Sequence, residues 1–299
     1  MMRVFFSDHH LVDLPAGHRF PMPKYARVRR TLLDEGVLSE HDLCPSPLAS
    51  RADLLLAHTP TYVDAVLNGC LELRIVRQIG LPWSPELVQR SLATVGGSLA
   101  AAREALASGI SGNLAGGTHH ATAGEGAGFC VFNDLAVVAL TLLRDRVVER
   151  IAIVDLDVHQ GNGSASILNG HSGVFTLSLH GRNNYPFRKV PSSLDIGLED
   201  GADDDTYLSA LAVGLKAVFA FEPELVLYLA GVDPLDTDRL GRLAVSMDGL
   251  ARRDRLVMEE CLQRAIPMAL VLGGGYTEPI DLTVKAHVQT YRVARSLMR

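Results

Sequence analysis

The stretch Ile151–Gly163 reads IAIVDLDVHQGNG, an apolar strand that runs directly into three ionisable side chains. Asp155, Asp157 and His159 are spaced two residues apart, and alternate residues of a strand share one face. Charged groups gathered at the end of a buried strand are costly unless something compensates them. A metal ion, a cofactor or water at the edge of a sheet would each satisfy this pattern.

Composition describes an ordinary soluble protein with ample material for a core. The chain has 299 residues, of which 47% are hydrophobic and 21% charged, and its net charge is -6. The sequence has no dense basic run, signal peptide or apolar run long enough to span a membrane, so we expect a cytoplasmic protein that binds neither nucleic acid nor membrane. The cysteines lack metal-ligand or disulfide spacing and are expected to be reduced: Cys44, Cys70, Cys130 and Cys261.

Short apolar runs alternate with longer amphipathic ones along the chain. The predicted strands are Arg3–Phe6, Ser111–Ala115, Ile151–Asp155, Val174–Leu179, Leu225–Ala230 and Met268–Leu272. The predicted helices are Lys24–Glu35, Thr61–Asn68, Pro85–Ser108, Asn133–Arg146, Asp204–Phe221, Asp248–Arg264 and Glu278–Leu297. This alternation predicts an α/β fold in one domain, residues 1–299, with a mostly parallel central sheet flanked by helices on both faces. The segment Arg182–Gly201 has no clear periodicity and is expected to be a long loop.

Unusual polar or glycine-rich clusters follow the ends of the predicted strands. They are NLAGGTHH (113–120), DLDVHQGN (155–162), SLHGRN (178–183), AGVDPLD (230–236) and LGGGY (272–276). The carboxyl ends of parallel strands meet at one edge of a sheet, where such folds bind their ligands. The five clusters together therefore predict an active site at this edge.

The residue types favour metal-assisted hydrolysis. Two carboxylates and one imidazole can bind Zn²⁺ and leave a coordination position open for water, and we expect Asp157, His159 and Asp233 to form this set. Such mixed donors select weakly among metals, so Fe²⁺, Mn²⁺ and Co²⁺ remain possible substitutes. The paired His119 and His120 can act as base and acid, and Tyr276 can hydrogen-bond a carbonyl oxygen that becomes an oxyanion.

The sequence resembles the histone deacetylase superfamily in six motifs and in their order along the chain. The motifs are GGTHHA, GFCVFND, IVDLDVHQGNG, LSLH, AGVDP and GGGY. The segment GLPWSPELVQRS (80–91) is most similar to class IV members and their bacterial relatives. The resemblance implies an arginase-like α/β fold, a mononuclear Zn²⁺ site and hydrolysis of an N-acyl amide, typically on lysine.

The same resemblance implies a role for each site residue. His120 exchanges protons with the water and the leaving amine, and His119 assists electrostatically. Tyr276 polarises the scissile carbonyl. Asp155 orients His119, and Asn162 orients His120 from a loop, in a position where class I members carry an aspartate. Asparagine stabilises an imidazolium less than a carboxylate does.

The substrate tunnel is also implied by the resemblance. Phe129 matches one aromatic wall of the acyl-lysine tunnel, and Tyr185 or Phe187 supplies the opposite wall. Leu240 falls near the rim position where polyamine-selective relatives have a carboxylate. An aliphatic residue there favours acyl-lysine over acyl-polyamine.

A monovalent cation, usually K⁺, is the last feature that the resemblance implies. Its contributors would be side-chain or backbone oxygens of Asp155, Asp157, His159, Ser178 and Leu179.

Several alternatives stay open at this stage. The substrate can be an acylated lysine of a protein or a small acylated amine, as in an acetylpolyamine or metabolite amidohydrolase. An arginase-like ureohydrolase with two Mn²⁺ ions would need further bridging carboxylates, and a non-catalytic acyl-lysine reader would have lost a histidine or the tyrosine. The acyl chain length and the oligomeric state are not specified by the sequence.

Overall fold

A computed structural model describes residues 2–298. They form one parallel sheet of eight strands in the order β2-β1-β3-β8-β7-β4-β5-β6. Helices cover both faces of this sheet, so the α/β fold predicted from the sequence is confirmed.

The strands, numbered along the chain, are β1 Val4–Phe6, β2 Leu43–Pro45, β3 Ile110–Asn113, β4 Ile151–Asp155, β5 Val174–Gly181, β6 Leu194–Leu198, β7 Leu225–Leu229 and β8 Met268–Val271. The α-helices are α1 Lys24–Asp34, α2 Arg51–Leu54, α3 Pro60–Asn68, α4 Leu73–Ile79, α5 Pro85–Ser108, α6 Asp134–Arg144, α7 Asn162–Leu168, α8 Asp204–Ala220, α9 Met247–Gln263 and α10 Asp281–Leu297. A short 3-10 helix, Glu40–Asp42, precedes β2.

The sheet separates two hydrophobic cores, because successive side chains of a strand point to opposite faces. On β4, for example, Ala152 and Val154 enter the core shared with α1, α8, α9 and α10. Ile151 and Ile153 enter the opposite core, shared with α3, α5 and α6. Continuous apolar strands are therefore buried on both sides, as expected for parallel sheets.

Capping residues define where two of the long helices begin. Ser84 Oγ accepts the backbone N–H of Leu87 at 3.1 Å, with Pro85 in the first turn of α5. Asn133 Oδ1 accepts the N–H of Ala136 at 3.0 Å at the start of α6. Both caps were expected from the sequence, since these residue types satisfy the free N–H groups of a first helical turn.

The structure differs from the sequence prediction mainly at the sheet edges. The segment Arg182–Gly201, predicted to be a long loop, contains β6 as an edge strand. Its sequence, LDIGL, is short, half-exposed and interrupted by glycine, so it lacks the apolar pattern of the central strands. The other edge strand, β2, and the short helices α2, α4 and α7 were also not predicted. The sequence pattern is weak in such short elements, and tertiary contacts determine whether they form.

Five adjacent strands of the sheet, β3-β8-β7-β4-β5, carry the five polar clusters at their carboxyl ends. This arrangement brings segments that are distant in sequence to one place, at the edge predicted for ligand binding. None of the helices in residues 2–298 combines the length and the hydropathy that a membrane span requires.

Candidate active site

Three side chains from two strand ends form a buried group of potential metal ligands. Asp157 and His159 follow β4, and Asp233 follows the neighbouring strand β7. One donor atom from each of these residues lies within 4.8 Å of the other two. His159 Nδ1 is 2.9 Å from Asp157 Oδ1 and 3.1 Å from Asp233 Oδ2. The structure thus brings together the ligand set expected from the sequence.

Backbone N–H groups fix both carboxylates. Asp157 Oδ2 accepts from Gly274 N at 2.7 Å, and Asp157 Oδ1 accepts from His159 N at 3.0 Å. Asp233 Oδ1 accepts from Val158 N at 2.8 Å, which leaves its Oδ2 facing His159. These bonds hold the donor atoms in place before any ion binds, and such positioning is what a metal site requires.

The chemistry of this group fits a divalent cation. Both carboxylates are almost completely buried, at 2% exposure for Asp157 and 0% for Asp233. Within residues 2–298, neither carboxylate pairs with a lysine or an arginine, and only imidazoles compensate their charge. Buried negative charge without a matching cation is costly, so an ion bound between two oxygens and one nitrogen would remove this cost. Carboxylate oxygen and imidazole nitrogen are both zinc donors, and catalytic zinc sites have three protein ligands.

The two histidines of GGTHH lie beside this group, and each is held by a different partner. His119 Nδ1 is 2.7 Å from Asp155 Oδ2, and His120 Nδ1 is 2.7 Å from Asn162 Oδ1. Their ring centroids are 4.1 Å apart. Because both partners accept hydrogen bonds through oxygen, each Nδ1 carries a proton, and the Nε2 of a neutral His120 is left with a free lone pair. Asn162 is the first residue of α7 and not part of a loop, which corrects the expectation from the sequence.

The surroundings push the pKa values of these two imidazoles apart. Burial alone would lower the pKa of His119, but the carboxylates of Asp155 and Asp157 outweigh it and raise that pKa to about 9. Burial and the neighbouring His119 and His159 hold the pKa of His120 well below its ordinary value. Oppositely shifted neighbours are typical of groups with different roles in proton transfer.

Tyr276 lies across the pocket on the glycine-rich segment that follows β8. Its ring centroid is 6.4 Å from that of His159 and 6.1 Å from that of Phe129. Burial, then the carboxylates of Asp157 and Asp233, raise the pKa of the Tyr276 hydroxyl. The hydroxyl therefore keeps its proton at neutral pH and can donate a hydrogen bond.

This segment must approach the ligand group closely. A Cβ atom at Gly274 would lie 2.0 Å from Asp233 Oδ2 and 2.8 Å from Asp157 Oδ2. The backbone can donate to the ligand carboxylate only because no side chain is present there. The site therefore requires a glycine at position 274 of LGGGY.

A cavity of about 770 Å³ leads from the surface to His120, His159 and Tyr276. Phe129 and Tyr185 line it, and the Tyr185 ring centroid is 4.9 Å from that of His120. The structure therefore brings both expected tunnel walls to the site. Leu240 lines the same cavity, whereas Phe187 is 87% exposed at its outer end.

The residues expected at a monovalent cation also come together. Ser178 on β5 is paired in register with Asp155 on β4, and Leu179 follows directly. Asp155 Oδ1 accepts the N–H of Asp157 at 3.2 Å, and Ser178 Oγ lies 3.0 Å from His180 Nδ1.

The sequence reasoning missed two carboxylates that hold the site loops. Asp238 Oδ2 accepts the N–H of Tyr276 at 2.6 Å, and its Oδ1 accepts the N–H of Leu240 at 2.8 Å. Asp238 therefore ties the tyrosine to the rim of the cavity. Asp238 lies two residues before Leu240 and accepts its backbone N–H, as aspartates do in many ordinary turns. This pattern in the sequence therefore does not indicate a role in a site.

Asp134, the second missed carboxylate, clamps the segment in front of the paired histidines. Its Oδ1 accepts from the N–H and the hydroxyl of Thr118, both at 2.8 Å. Its Oδ2 accepts from Gly117 N at 3.1 Å and from Ser98 Oγ at 2.6 Å. Thr118, in the position before His119, is thus held by this buried carboxylate.

Replacing Asp134 with asparagine should loosen this clamp. The amide offers hydrogens where the carboxylate accepted bonds, so we expect a loss of about 2 kcal/mol in the free energy of unfolding. Displacement of the histidines should also lower kcat by about tenfold. Denaturant unfolding and steady-state kinetics measure the two effects. Asp248→Asn, at an exposed position in the first turn of α9, is the matched control, and equal effects of both substitutions would contradict the clamp.

The fold and the ligand group define an arginase/deacetylase-like α/β protein. The chain belongs to the histone deacetylase family, because residues 18–291 match the histone deacetylase domain. This is a family of hydrolases that act on amides. The family resemblance read from the sequence motifs is therefore confirmed.

Relatives agree with this assignment. The chain is 45% identical over 295 residues to an uncharacterized protein of Picosynechococcus sp., with 98% of each chain covered. It is 35% identical over 280 residues to histone deacetylase 2 of Arabidopsis thaliana, which covers 90% of this chain and 72% of the relative.

Solved structures share the fold. An HDAC homolog from Aquifex aeolicus superposes with a TM-score of 0.82 at 24% identity, covering 99% of this chain and 83% of that chain. The HD domain of HDA15 superposes with a TM-score of 0.80 at 22% identity, covering 98% of this chain and 88% of that chain.

Proposed function

We propose that this protein is a Zn²⁺-dependent deacylase that hydrolyses N-acyl-lysine. One observation carries the proposal: a ligand group of two aspartates and a histidine, a pair of histidines and a tyrosine all meet at the base of one aromatic-walled cavity. Residues 80–91, GLPWSPELVQRS, favour a class IV type enzyme. We also propose a cytoplasmic location.

Asp157, His159 and Asp233 would hold the metal ion. When bound there, the ion supplies Lewis-acid polarisation of the acyl carbonyl and lowers the pKa of water. Asp155, Ser178 and the neighbouring backbone would hold K⁺.

His120 is the proposed general base. Asn162 accepts from its Nδ1–H, so the lone pair of Nε2 is free to take a proton from the attacking water. The depressed pKa of His120 keeps the ring neutral and ready to accept at neutral pH. The water oxygen bonds to the carbonyl carbon, and the proton held on Nε2 then passes to the amine nitrogen as the C–N bond breaks. The products are a carboxylate and a protonated lysine amine, because the new carboxylic acid gives up its proton and the free amine takes one up.

His119 and Tyr276 stabilise the charge that develops. His119 is held by Asp155, and its raised pKa favours a cationic ring beside the reacting groups. Tyr276 donates a hydrogen bond from its protonated hydroxyl to the carbonyl oxygen as negative charge develops there. Phe129 and Tyr185 enclose the aliphatic part of the lysine side chain and exclude water from it.

The alternatives are less well supported by the site. An arginase-like site needs ligands for a second ion, but the described residues contain a single group of three suitable ligands, and Asp236 is exposed. A non-catalytic reader would not need the histidine pair and the tyrosine, all of which are present. A polyamine-selective enzyme would need a carboxylate at the rim, where Leu240 lies.

Metal-loaded protein assayed on N-acyl-lysine peptides, N-acetylated polyamines and small acetylated metabolites tests the function. We expect the highest kcat/KM on the acyl-lysine peptides, loss of activity after chelation and recovery with Zn²⁺ at about one ion per chain. Two ions per chain would support the arginase-like alternative. Tight binding of acyl-lysine without turnover would support the reader.

A further inference from the structure

The outer part of the cavity has a distinctive charge pattern. Its mouth, defined here by the exposed lining residues Arg19, Tyr185, Phe187, Arg239 and Arg242, combines three guanidinium groups with two aromatic rings. No aspartate or glutamate is found among the described residues that line the cavity. Any flanking part of a substrate that enters must therefore pass cations first.

Two of these arginines are paired with acidic groups outside the cavity. Arg239 pairs with Glu278, and Arg242 lies 3.1 Å from Asp200. Arg19 makes no ion pair with any residue in the described part of the chain, so its charge is free. Because both pairs are largely exposed to solvent, they hold their arginines only weakly. These three arginines and the two carboxylates paired with them sum to one net positive charge.

The adjoining segment between β5 and β6 adds to this charge. Residues 182–190 read RNNYPFRKV, with three basic residues beyond the mouth and no acidic one. Arg182 pairs with Glu199 at 2.5 Å, whereas Arg188 has no carboxylate within ion-pair distance in residues 2–298. Lys189 Nζ donates to the carbonyl oxygens of Asn184 and Pro186, at 2.5 and 2.7 Å. It therefore fixes the segment that presents Tyr185 and Phe187.

The sign of this charge is opposite to that of the whole protein. The chain carries 28 basic and 34 acidic residues, a net charge of -6. A cleft of one sign on a protein of the other sign is selective, since charged ligands are steered by the local field. A positively charged cleft repels basic groups and attracts acidic ones.

We propose that the mouth selects acylated lysines flanked by acidic side chains, through Arg19, Arg239 and Arg242. This inference rests on the proposed deacylase function and adds the class of protein segment on which that function acts. Phe187, 87% exposed beside the arginines, offers an apolar contact surface that suits a peptide segment lying across the mouth. Basic tails and polyamines are disfavoured by the same charges.

Three acetyl-lysine peptides of equal length test the proposal, with glutamate, glutamine or lysine on both sides of the modified residue. We expect kcat/KM at low salt to be about tenfold higher for the glutamate peptide than for the lysine peptide. The difference should lie mainly in KM and should shrink at high salt, because exposed charges are screened. Binding of each peptide to metal-loaded protein, measured by fluorescence anisotropy, should follow the same order.

Variants at the mouth distinguish the effect of its local charge on substrate preference from the effect of the protein's net charge. Arg19→Gln should reduce the preference by roughly threefold, and Arg19→Gln combined with Arg242→Gln should remove most of it. Arg30→Gln, which removes one exposed charge on α1 away from the cavity, is the matched control and should leave the preference unchanged. Thermal melting checks that each variant is folded.

Two results would overturn the inference. One is equal kcat/KM and equal binding for the three peptides, and the other is a preference that survives in the double variant. Failure of the deacylase function has a different signature, namely no turnover of any peptide while the order of binding is kept. In that case the mouth still selects acidic segments, and only the chemistry assigned to the site is wrong.

Discussion

Replacing His159 with alanine is expected to abolish both metal binding and amide hydrolysis. The substitution removes the single nitrogen donor of the ligand group and leaves Asp157 and Asp233 with no imidazole between them. Loss of an outer partner of a metal ligand already costs about 10- to 100-fold in affinity, so loss of a ligand should cost more than that. Metal content after dialysis and kcat/KM on an acetyl-lysine peptide measure the two effects.

A matched variant distinguishes this loss from a general effect of removing a histidine. His171→Ala changes the same residue type at an exposed position in the turn before β5 and should keep metal and activity. Because His159→Ala removes the imidazole that both buried carboxylates contact, circular dichroism must show that the variant is folded. If the folded variant binds one metal ion per chain with unchanged affinity, the proposed ligand set is wrong.

Replacing Tyr276 with phenylalanine is expected to lower kcat by roughly 100-fold or more, since a single hydrogen bond to a developing oxyanion is typically worth that much. The ring and its contacts with Phe129 and His159 remain, so the cavity keeps its shape. The hydroxyl is not one of the metal ligands, so the metal content should be that of the unmodified protein. KM should change little, because the hydroxyl acts mainly on the transition state.

Tyr291→Phe is the control for the missing hydroxyl. Tyr291 is buried on α10 and donates to the carbonyl oxygen of Asn113 at 3.2 Å, away from the ligand group. Its loss should lower stability by about 1 kcal/mol and leave kcat unchanged. Full activity of Tyr276→Phe with normal metal content would refute the role assigned to the tyrosine.

The central part of the fold was predictable because its signals are local. Runs such as those of β4 and β7 are apolar throughout, and a strand buried on both faces needs that composition. Serine and asparagine before α5 and α6 are caps whose chemistry depends only on the next few residues. The edge strand β6 lacked such a signal, since its pairing with β5 decides its conformation.

The residue types of the candidate site could be predicted from the sequence, but the hydrogen bonds that hold its loops in place could not. Asp157 and His159 share one strand end, and Asp233 follows another, so the parallel-sheet rule alone predicted that they meet. The polar contacts that hold the loops join segments distant in sequence. Asp134 binds Thr118 from the start of α6, and Asp238 binds the N–H of Tyr276 across 38 residues. No spacing rule identifies such pairs.

The stretch IAIVDLDVHQGNG by itself determined that charge must be compensated at the end of a buried strand, because its spacing places two carboxylates and an imidazole on one face. Only the tertiary structure decided how. It places Asp157 and His159 against Asp233, turns Asp155 towards His119, and starts α7 at Asn162, beside His120. It also collects Arg19, Arg239 and Arg242 at one mouth. The sequence positions of these arginines do not predict that they lie together, because the folding of distant loops decides which surface charges become neighbours.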